Sequence, residues 1–335
     1  MNSFGKNFRV QIFGESHGPS VGVIIDGCPA GILLSEDDFK EDIDRRRGGI
    51  QKGTTPRKED DLPKFISGVF NGKTTGSPLT IMFENNNTRS AEYEKQKDIP
   101  RPGHADFVAS KKYGGNEDYR GGGHFSGRLT VCLVAAGVVA KKILAIAQNE
   151  EIKCKASILE IGGETDIDKG LEKAIAAKDS VGGIVECTVS NLPIALGDPF
   201  FNSVESLISH AVFAIPAIKG IEFGAGFAAA RMMGSEHNDT LENISGKNST
   251  NHAGGIVGGL TNGNDLVFRV VVKPTSSTPA VQQSLNIVTG SIGEISVKGR
   301  HDLCITLRVP VVLEAVTAFV LVDLMMMEQY IKRVI

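Results

Sequence analysis

Residues 309–327 read VPVVLEAVTAFVLVDLMMM, an apolar run that is interrupted by Glu314 and Asp323. A second apolar pattern covers residues 126–148. Continued over residues 126–148 and 309–334, the two patterns predict helices whose apolar residues go almost all the way round the axis. A helix of that kind is buried on every side. Each helix closes one half of the chain, which suggests an internal duplication, although no residue-level repeat is visible.

The overall composition is that of an ordinary globular protein. The chain has 335 residues, 41% of them hydrophobic and 22% charged, and a formal net charge of −3. That charge excludes a global basic field for nucleic acid, and the lack of Trp with only 6% aromatic residues argues against base-stacking surfaces. No low-complexity linker divides the sequence, so we expect a single domain over residues 1–335.

The cysteines and the N-terminal residues predict a cytoplasmic location. Five scattered cysteines form no Cys-x-x-Cys pair, which is typical of reduced thiols in the cytosol. The first residues have no apolar stretch like that of a signal peptide. The apolar runs are short or interrupted by charges, so we expect a soluble protein without membrane spans.

Several local patterns predict secondary structure. Residues 8–26 predict two short strands around a glycine turn. A helix is predicted from Ser35 to Arg47, with Ser35 as N-cap and Gly48 as the stop. Basic residues continue from its last turn into the loop to residue 58, which predicts a mobile anion-binding flap. The alternative is that the arginines only complement the helix dipole.

The composition of two longer stretches predicts their structure. Residues 84–125 are polar and glycine-rich with few helix or strand signals, and so long a loop is unusual unless it carries function. Residues 183–272 alternate β-rich runs with turns and predict strands.

Most of the seven histidines lie among glycines, hydroxyls and charges rather than in apolar stripes. The densest groups are residues 14–18, 101–106, 120–126 and 299–302. Glycine allows the backbone to approach a ligand closely, and imidazole exchanges protons near neutral pH. The pattern predicts one site, assembled from distant loops, that handles protons and binds an anionic substrate.

Each group also has a plainer interpretation. The Ser16-His17 pair is by itself a weak catalytic signal, because a catalytic triad needs a geometry that spacing cannot show. His104 could be structural, and Asp302 could be a proton acceptor or a surface ion-pair partner of Arg300.

Three motifs suggest ligands. Residues 273–277 (KPTSS) follow a predicted strand and could form a phosphate nest. Residues 224–229 match Gly-x-Gly-x-x-Ala, but Gly234 ends any helix within two turns, which disfavours a dinucleotide fold. Residues 235–239 offer metal ligands without a second histidine at helical spacing, so we predict no metal.

Taken together, these segments resemble one family, chorismate synthase. The matching blocks keep the family's order from residue 5 to about residue 330. They are residues 14–19, 26–29, 44–48, 101–106, 112–114, 118–123, 126–128, 234–239, 251–255, 273–277 and 299–302.

The resemblance implies a fold and a reaction. The fold is α+β, a β-α-β sandwich with a central layer of buried helices between two mainly antiparallel sheets, and the family is usually a homotetramer. The reaction removes phosphate and a proton from 5-enolpyruvylshikimate-3-phosphate to give chorismate, and it needs reduced FMN. At this length the chain resembles the shorter form that takes reduced FMN from an external flavin reductase or other source, so that NADPH acts only indirectly.

The resemblance also implies roles for individual residues. His17 would protonate or hydrogen-bond the departing phosphate, and His104 would hold the reduced flavin in its reactive charge state. Asp302, relayed through Ser16, would accept the proton. The implied flavin contacts are His124, Phe125, Ser126, Glu236, His237, Gly258, Lys273, Pro274, Thr275, Ser276, Ser277 and Arg300, and the implied anion-binding residues are Arg46, Lys52 and Arg128.

Two departures from the family pattern keep other functions open. His124 and Leu129 stand where the family usually has an arginine and a glutamate, and Leu303 stands where it usually has proline. One alternative is therefore a flavin- or phosphate-binding relative without activity. A separate alternative, based on the glycine motif alone, is a nicotinamide-dependent oxidoreductase that uses residues 224–229.

Overall fold

The computed structural model describes residues 2–49, 52–57, 59–88, 91–94, 97–147, 150–297 and 301–335. The strands within these ranges are β1 Ser3–Phe4, β2 Arg9–Gly14, β3 Ser20–Asp26, β4 Lys64–Ser67, β5 Val69–Phe70, β6 Lys73–Thr74, β7 Leu79–Glu84, β8 Lys153–Ile161, β9 Gly183–Ser190, β10 Ile218–Phe223, β11 Ile256–Val257, β12 Leu260–Thr261, β13 Leu266–Val272, β14 Gln282–Leu285 and β15 Ile292–Ile295. The helices are α1 Lys40–Arg46, α2 Ala91–Glu94, α3 Asp106–Tyr113, α4 Thr130–Ala147, α5 Ile167–Ala177, α6 Val204–Val212, α7 Gly234–His237 and α8 Val309–Met327.

Two antiparallel sheets form the outer layers. The first has the order β1-β2-β3-β7-β4 and the second the order β10-β13-β9-β8. In the first sheet Val23 pairs with both Ile12 and Ile81, and all three belong to strands with one face turned to the core. The predicted strand pair within residues 8–26 is confirmed.

The two apolar helices form the central layer. α4 packs on β3 of the first sheet, α8 packs on β8 and β9 of the second, and the two helices pack along each other. A Cβ atom on Gly137 would lie 2.1 Å from the Cβ of Ala315, so a glycine is needed for this close approach. The β-α-β sandwich is confirmed. The helices are shorter than predicted, since a 3₁₀ turn at Gly127–Leu129 precedes α4 and Gln329 follows α8 with a φ of 62°.

The two charges that interrupt the apolar run of α8 are both buried, and both have hydrogen-bond partners. Glu314 accepts hydrogen bonds from Arg45 at 2.7 and 2.8 Å and from Lys141 at 2.9 Å. Asp323 accepts from the backbone N–H groups of residues 6–8 at 2.6 to 3.0 Å. Buried charges need this compensation, so these two residues tie α8 to α1, α4 and the N-terminal segment.

By length and composition alone, α4 and α8 with their preceding turns could cross a membrane. Most residues of both are buried inside the protein, under the sheets. Packing in a protein core accounts for their apolar character.

Three predictions need correction. The helix expected from Ser35 begins as a 3₁₀ turn, Glu36–Phe39, before α1, and Gly48 does not take the left-handed conformation of a helix stop. Gly48 serves packing instead, because a Cβ there would lie 2.6 Å from Thr55. Residues 84–125 contain the short helices α2 and α3, and residues 183–272 contain α6 as well as strands.

Candidate active site

A cavity of about 870 Å³ lies between the two halves of the molecule and is lined by loops from both. The lining combines apolar residues, among them Val10, Leu133 and Phe319, with histidines, hydroxyls and charges. The predicted residues that line it are His17, Arg46, His104, His124, Phe125, Ser126, Arg128, Lys273, Thr275, Ser276, Ser277 and Asp302.

A glycine loop brings two of the histidines to the cavity. Gly121, Gly122 and Gly123 have φ angles of 59°, 82° and 51°, in the left-handed region that favours glycine. A Cβ on Gly121 would lie 2.2 Å from Cε1 of His17, and one on Gly122 would lie 3.0 Å from Cε1 of His104. The loop can therefore pack directly on both imidazole rings only because it lacks side chains.

The ring of His17 is held by Ser16. Nδ1 of His17 lies 3.2 Å from Oγ of Ser16, which also accepts a hydrogen bond from Nη1 of Arg57 at 3.2 Å. Since arginine can only donate, the Ser16 hydroxyl is free to direct its proton at Nδ1, which leaves an N–H on Nε2. Burial and the charge of Arg57 lower the pKa of His17 to about 4. The ring is thus neutral at neutral pH in the protein alone.

The ring of His104 has a carboxylate beside it. Nδ1 of His104 lies 2.5 Å from Oδ1 of Asp106, the first residue of α3. Arg101 donates to the same carboxylate through Nε and Nη2, each at 2.8 Å, and to Oγ of Ser277 at 2.9 Å. This group connects the loop before α3 with residues 273–277.

His124 continues the line of histidines along the cavity. Its Nδ1 lies 2.8 Å from the carbonyl oxygen of Gly14, so Nδ1 carries a proton and donates it. Phe125 is 39% exposed and packs near Tyr113 at 6.3 Å between ring centroids. Ser126 caps the turn before α4 by accepting from the backbone N–H of Arg128.

Asp302 lines the cavity, and its side chain is largely buried. Its carboxylate accepts from the backbone N–H of Thr55 at 2.9 Å and from Nη1 of Arg308 at 2.8 Å. Among the described residues its ion-pair partner is Arg308, whereas Arg300, the partner suggested by the sequence, lies outside them. Asp302 and Ser16 share no hydrogen bond in the described structure, but both contact the segment from Thr55 to Arg57. Within that segment the backbone N–H of Arg57 donates to Oγ1 of Thr55 at 3.2 Å.

Arg46 and Arg128 share one buried carboxylate. Both form ion pairs with Asp61, and all three side chains are nearly inaccessible to solvent. Arg46 also donates to Thr130 and to the carbonyl oxygens of Gly127 and Arg128. The prediction that Arg46 lies on a flap is wrong, because it is the last residue of α1 and is buried. Burial and the neighbouring Arg308 lower its pKa to about 9.

Four residues of the loop at residues 273–277 line the cavity, namely Lys273, Thr275, Ser276 and Ser277. Nζ of Lys273 donates to Oγ of Ser276 at 2.7 Å, and that hydroxyl donates to the carbonyl oxygen of Gly103 at 2.7 Å. Thr275 lines the cavity, and within the part of the chain that the structure describes its Oγ1 is buried without a hydrogen-bond partner. Burial, with the charge of Lys219, lowers the pKa of Lys273.

Some predicted site residues lie away from this cavity. Glu236 accepts from the backbone N–H of Met233 at 2.8 Å and caps α7, and the ring of His237 lies 5.9 Å from that of His252. Gly258 is exposed with a φ of 64°. The cavity lining also omits Ser16, Lys52 and Pro274, and Arg300 lies outside the described residues.

Several lining residues carried no sequence signal. Tyr93 packs edge-on against His17 with ring centroids 5.1 Å apart, and Pro216 and Ala217 follow α6. Arg57 was visible as a basic residue but not as the partner of Ser16. For Arg308, nothing in its neighbourhood in the sequence points to a site.

The two remaining ligand motifs gain no support as independent sites. Residues 224–229 do follow a strand, β10, but they open only a 3₁₀ turn, Gly226–Arg231, beside an antiparallel sheet. A dinucleotide site needs a long helix in a parallel β-α-β unit. Within the described ranges no group of three or more His, Cys, Asp or Glu residues could hold a metal ion.

Comparison with known proteins gives one consistent result. The family profile described as chorismate synthase matches residues 8–326. Chorismate synthase of Chitinophaga pinensis is 69% identical over 334 residues, covering 100% of this chain and 99% of that protein. Chorismate synthase of Korarchaeum cryptofilum is 44% identical and covers 96% of each chain. A crystal structure of chorismate synthase superposes with a TM-score of 0.74 at 26% identity, over 97% of this chain and 93% of that one.

Proposed function

The chain belongs to the chorismate synthase family, and on that premise we propose that its reaction takes place in the cavity between the two sheets. The family's enzymes are carbon–oxygen lyases of aromatic amino acid biosynthesis. Phosphate leaves carbon 3 of 5-enolpyruvylshikimate-3-phosphate and a proton leaves carbon 6, on opposite faces of the ring. The observation that carries the proposal is the pair His17 and His104, which one glycine loop holds at the cavity in different hydrogen-bonding environments.

His17 is proposed to act on the departing phosphate. In the protein alone it is neutral, because burial and Arg57 lower its pKa to about 4. A phosphate dianion at the ring would favour the charged form and oppose that shift. With Ser16 on Nδ1, the Nε2–H is the group that donates to a phosphate oxygen, and the ring, once charged beside the phosphate, can give up that proton and become neutral as the bond to carbon breaks.

The cavity fits a flavin by size and by its donors. Its apolar lining residues suit a fused aromatic ring. Thr275 Oγ1, buried and without a partner among the described residues, needs a polar partner that a ligand would supply. We propose that Lys273, Ser276 and Ser277, with Thr275 and Pro274, hold the cofactor. Reduced FMN, when bound, supplies the electron density that weakens the carbon–oxygen bond.

The other proposed flavin contacts come from two groups. His124, Phe125 and Ser126 line the cavity beside the glycine loop. Glu236, His237, Gly258 and Arg300 remain predictions from the resemblance alone.

Protons are proposed to move through His104 on one side and Asp302 on the other. His104 presents Nε2 beside Gly122, where a ring nitrogen can hold or give up a proton. Asp302 is the proposed final acceptor, with Ser16 as relay. Support for that pairing is the shared contact of both residues with the Thr55–Arg57 segment.

The substrate's negative charges are proposed to meet Arg46, Arg128 and Lys52. The two arginines share the single carboxylate of Asp61, so this buried group keeps one net positive charge at the cavity wall. Such a charge acts strongly where water is excluded. Lys52, on the exposed loop after α1, would add to it from the solvent side.

The remaining proposals concern the protein's surroundings. We expect one domain over residues 1–335, a homotetramer, a cytoplasmic location, and reduced FMN from an external source, so that NADPH acts only through flavin reduction. One cluster of buried apolar side chains includes both sheets and both central helices, which supports a single domain. Phe200 and Phe201, 86% and 92% exposed, are an apolar surface that a second copy would cover.

Anaerobic turnover tests the function directly. Purified protein is mixed with FMN, dithionite and 5-enolpyruvylshikimate-3-phosphate, and phosphate and chorismate are measured. We expect both products in equal amounts and neither without FMN. Flavin binding without product would instead indicate an inactive relative, and nicotinamide turnover without FMN would indicate an oxidoreductase.

A further inference from the structure

We propose that Asp106 is a positioning residue, which fixes the His104 ring with its Nδ1–H on the carboxylate and its Nε2 toward the cavity. The inference deepens, and rests on, the role proposed above for His104. Asp106 itself does not line the cavity, so any effect on the reaction must pass through the histidine.

The proton between the two groups can be placed from their distance. An unprotonated Nδ1 and a carboxylate oxygen at 2.5 Å would set two lone pairs against each other, so a proton lies between them. Burial alone would raise the pKa of Asp106, but hydrogen bonds from Arg101 and His104 hold it well below its usual range. The proton therefore belongs to Nδ1 of the ring.

Arg101 fixes the position of the Asp106 carboxylate independently of His104. Its Nε and backbone N–H bond to Oδ2 of Asp106 at 2.8 and 3.1 Å, and its Nη2 bonds to Oδ1 at 2.8 Å. Nη2 also lies 3.0 Å from Nδ1 of His104. Arginine can only donate, so this contact alone would favour an unprotonated Nδ1. The contact of Nδ1 with Oδ1 of Asp106 is shorter, at 2.5 Å, and a carboxylate only accepts. This contact therefore places a proton on Nδ1.

The opposite edge of the ring is set by the glycine loop. A Cβ on Gly122 would lie 3.2 Å from Nε2 of His104. With Nδ1–H on Asp106 and this edge against the loop, the neutral ring keeps its lone pair on Nε2, at the cavity. The charged groups on the adjoining elements are Lys273, whose partner Ser276 bonds to Gly103, and the ion pair of Arg120 with Asp118 at 2.8 Å.

The test measures the ring itself as well as turnover. Protein labelled with ¹³C,¹⁵N-histidine is studied without FMN by magic-angle-spinning NMR at about pH 9, where ordinary histidine is neutral. His104→Gln identifies the His104 signal by difference. We expect the Nδ1–H tautomer in the parent and a shift toward Nε2–H in Asp106→Asn, together with a loss of kcat of about 10-fold to 10²-fold. Asp26→Asn, which breaks another arginine–aspartate pair at the surface, should change neither.

The outcomes separate this inference from the proposed function. The Nε2–H tautomer in the parent overturns the inference whatever the variants do, and that measurement does not depend on how any variant folds. An unchanged tautomer in a folded Asp106→Asn also overturns it. If the tautomer shifts as expected while His104→Ala remains fully active, the positioning by Asp106 stands and the role proposed for His104 fails.

Discussion

His17 and His104 pack against neighbouring residues of one glycine loop, yet the partners of their Nδ1 atoms differ. His17 faces a hydroxyl that is itself bonded to Arg57, whereas His104 faces the carboxylate of Asp106. A hydroxyl that donates to Nδ1 places the ring proton on Nε2, and a carboxylate that accepts from Nδ1 leaves Nε2 bare. The difference teaches that proximity to one loop positions the rings, while the residue behind each ring decides whether it offers or receives a proton.

Removing His104 should have the largest effect. His104→Ala should fold normally and lose turnover by roughly 10- to 10⁴-fold, the range of a lost proton-transfer group. The measurement is kcat with saturating reduced FMN, with thermal unfolding as the control for folding. Near-full turnover would mean that the two histidines do not divide the proton transfers as described.

Asp302→Asn tests the far end of the proposed relay on the His17 side. The substitution keeps the shape and most hydrogen bonds but removes the basic carboxylate. We expect FMN and substrate to bind within a few-fold of the parent, while chorismate formation falls by at least about 10²-fold. Single-turnover kinetics with pre-reduced FMN isolate this step from flavin supply. A step at parental speed would exclude Asp302 as the base and the Ser16 relay with it.

Alanines in the glycine loop compare the two histidines directly. The added Cβ of Gly121→Ala would overlap the His17 ring at 2.2 Å, whereas that of Gly122→Ala meets His104 at 3.0 Å. Because a displacement of the ring by about 1 Å can cost 10²-fold, we expect about 10²-fold lower kcat/KM for Gly121→Ala and about 10-fold or less for Gly122→Ala.

Gly163→Ala is the matched control for these two variants. Gly163 has a φ of 80° but no atom within 4 Å of its would-be Cβ. It should therefore share the backbone strain, about 1–2 kcal/mol of unfolding free energy, without the loss of turnover. Equal kinetic losses in all three variants would show that backbone strain, not contact with the rings, is responsible.

The smallest effect concerns stability and pH. His17 has a pKa of about 4 in the folded protein and 6.5 as an ordinary histidine. Between these values the unfolded chain binds more protons, so the unfolding free energy falls as the pH falls from 6.5 to about 4. Urea unfolding across this range should show a smaller fall in His17→Asn than in the parent. An identical fall would show that His17 is not buried as a neutral ring.

The sequence predicts the central layer and the histidines for different reasons. An all-round apolar helix lies in a protein core or a membrane, and the charges that interrupt or flank these two patterns favour the core. Glycines beside His17 and His104 indicate close approach. The burial of Arg46 is a feature that the sequence does not predict. An arginine in the last turn of a helix is typical of a solvated end, and its burial depends on Asp61, which the chain supplies from a later loop.

The cavity's other walls had no comparable signal. Pro216 and Ala217 are ordinary residues whose place at the cavity depends on how α6 packs against α8. Tyr93 reaches His17 because α2 packs beside the segment Arg120–Phe125 that holds the glycine loop. Contacts of this kind arise from tertiary packing, which periodicity along the chain does not record.

The bond between Asp323 and the start of the chain has a consequence for synthesis on the ribosome. Residues 6–8 donate to a carboxylate more than 300 positions later, so the N-terminal turn stays open until α8 has been made. β2 and β3 can pair early, since they are adjacent in sequence. The turn before β2, however, gains its hydrogen bonds to Asp323 only after α8 has been synthesised. Contacts so distant in sequence form late, and the nascent chain keeps apolar surface exposed until then.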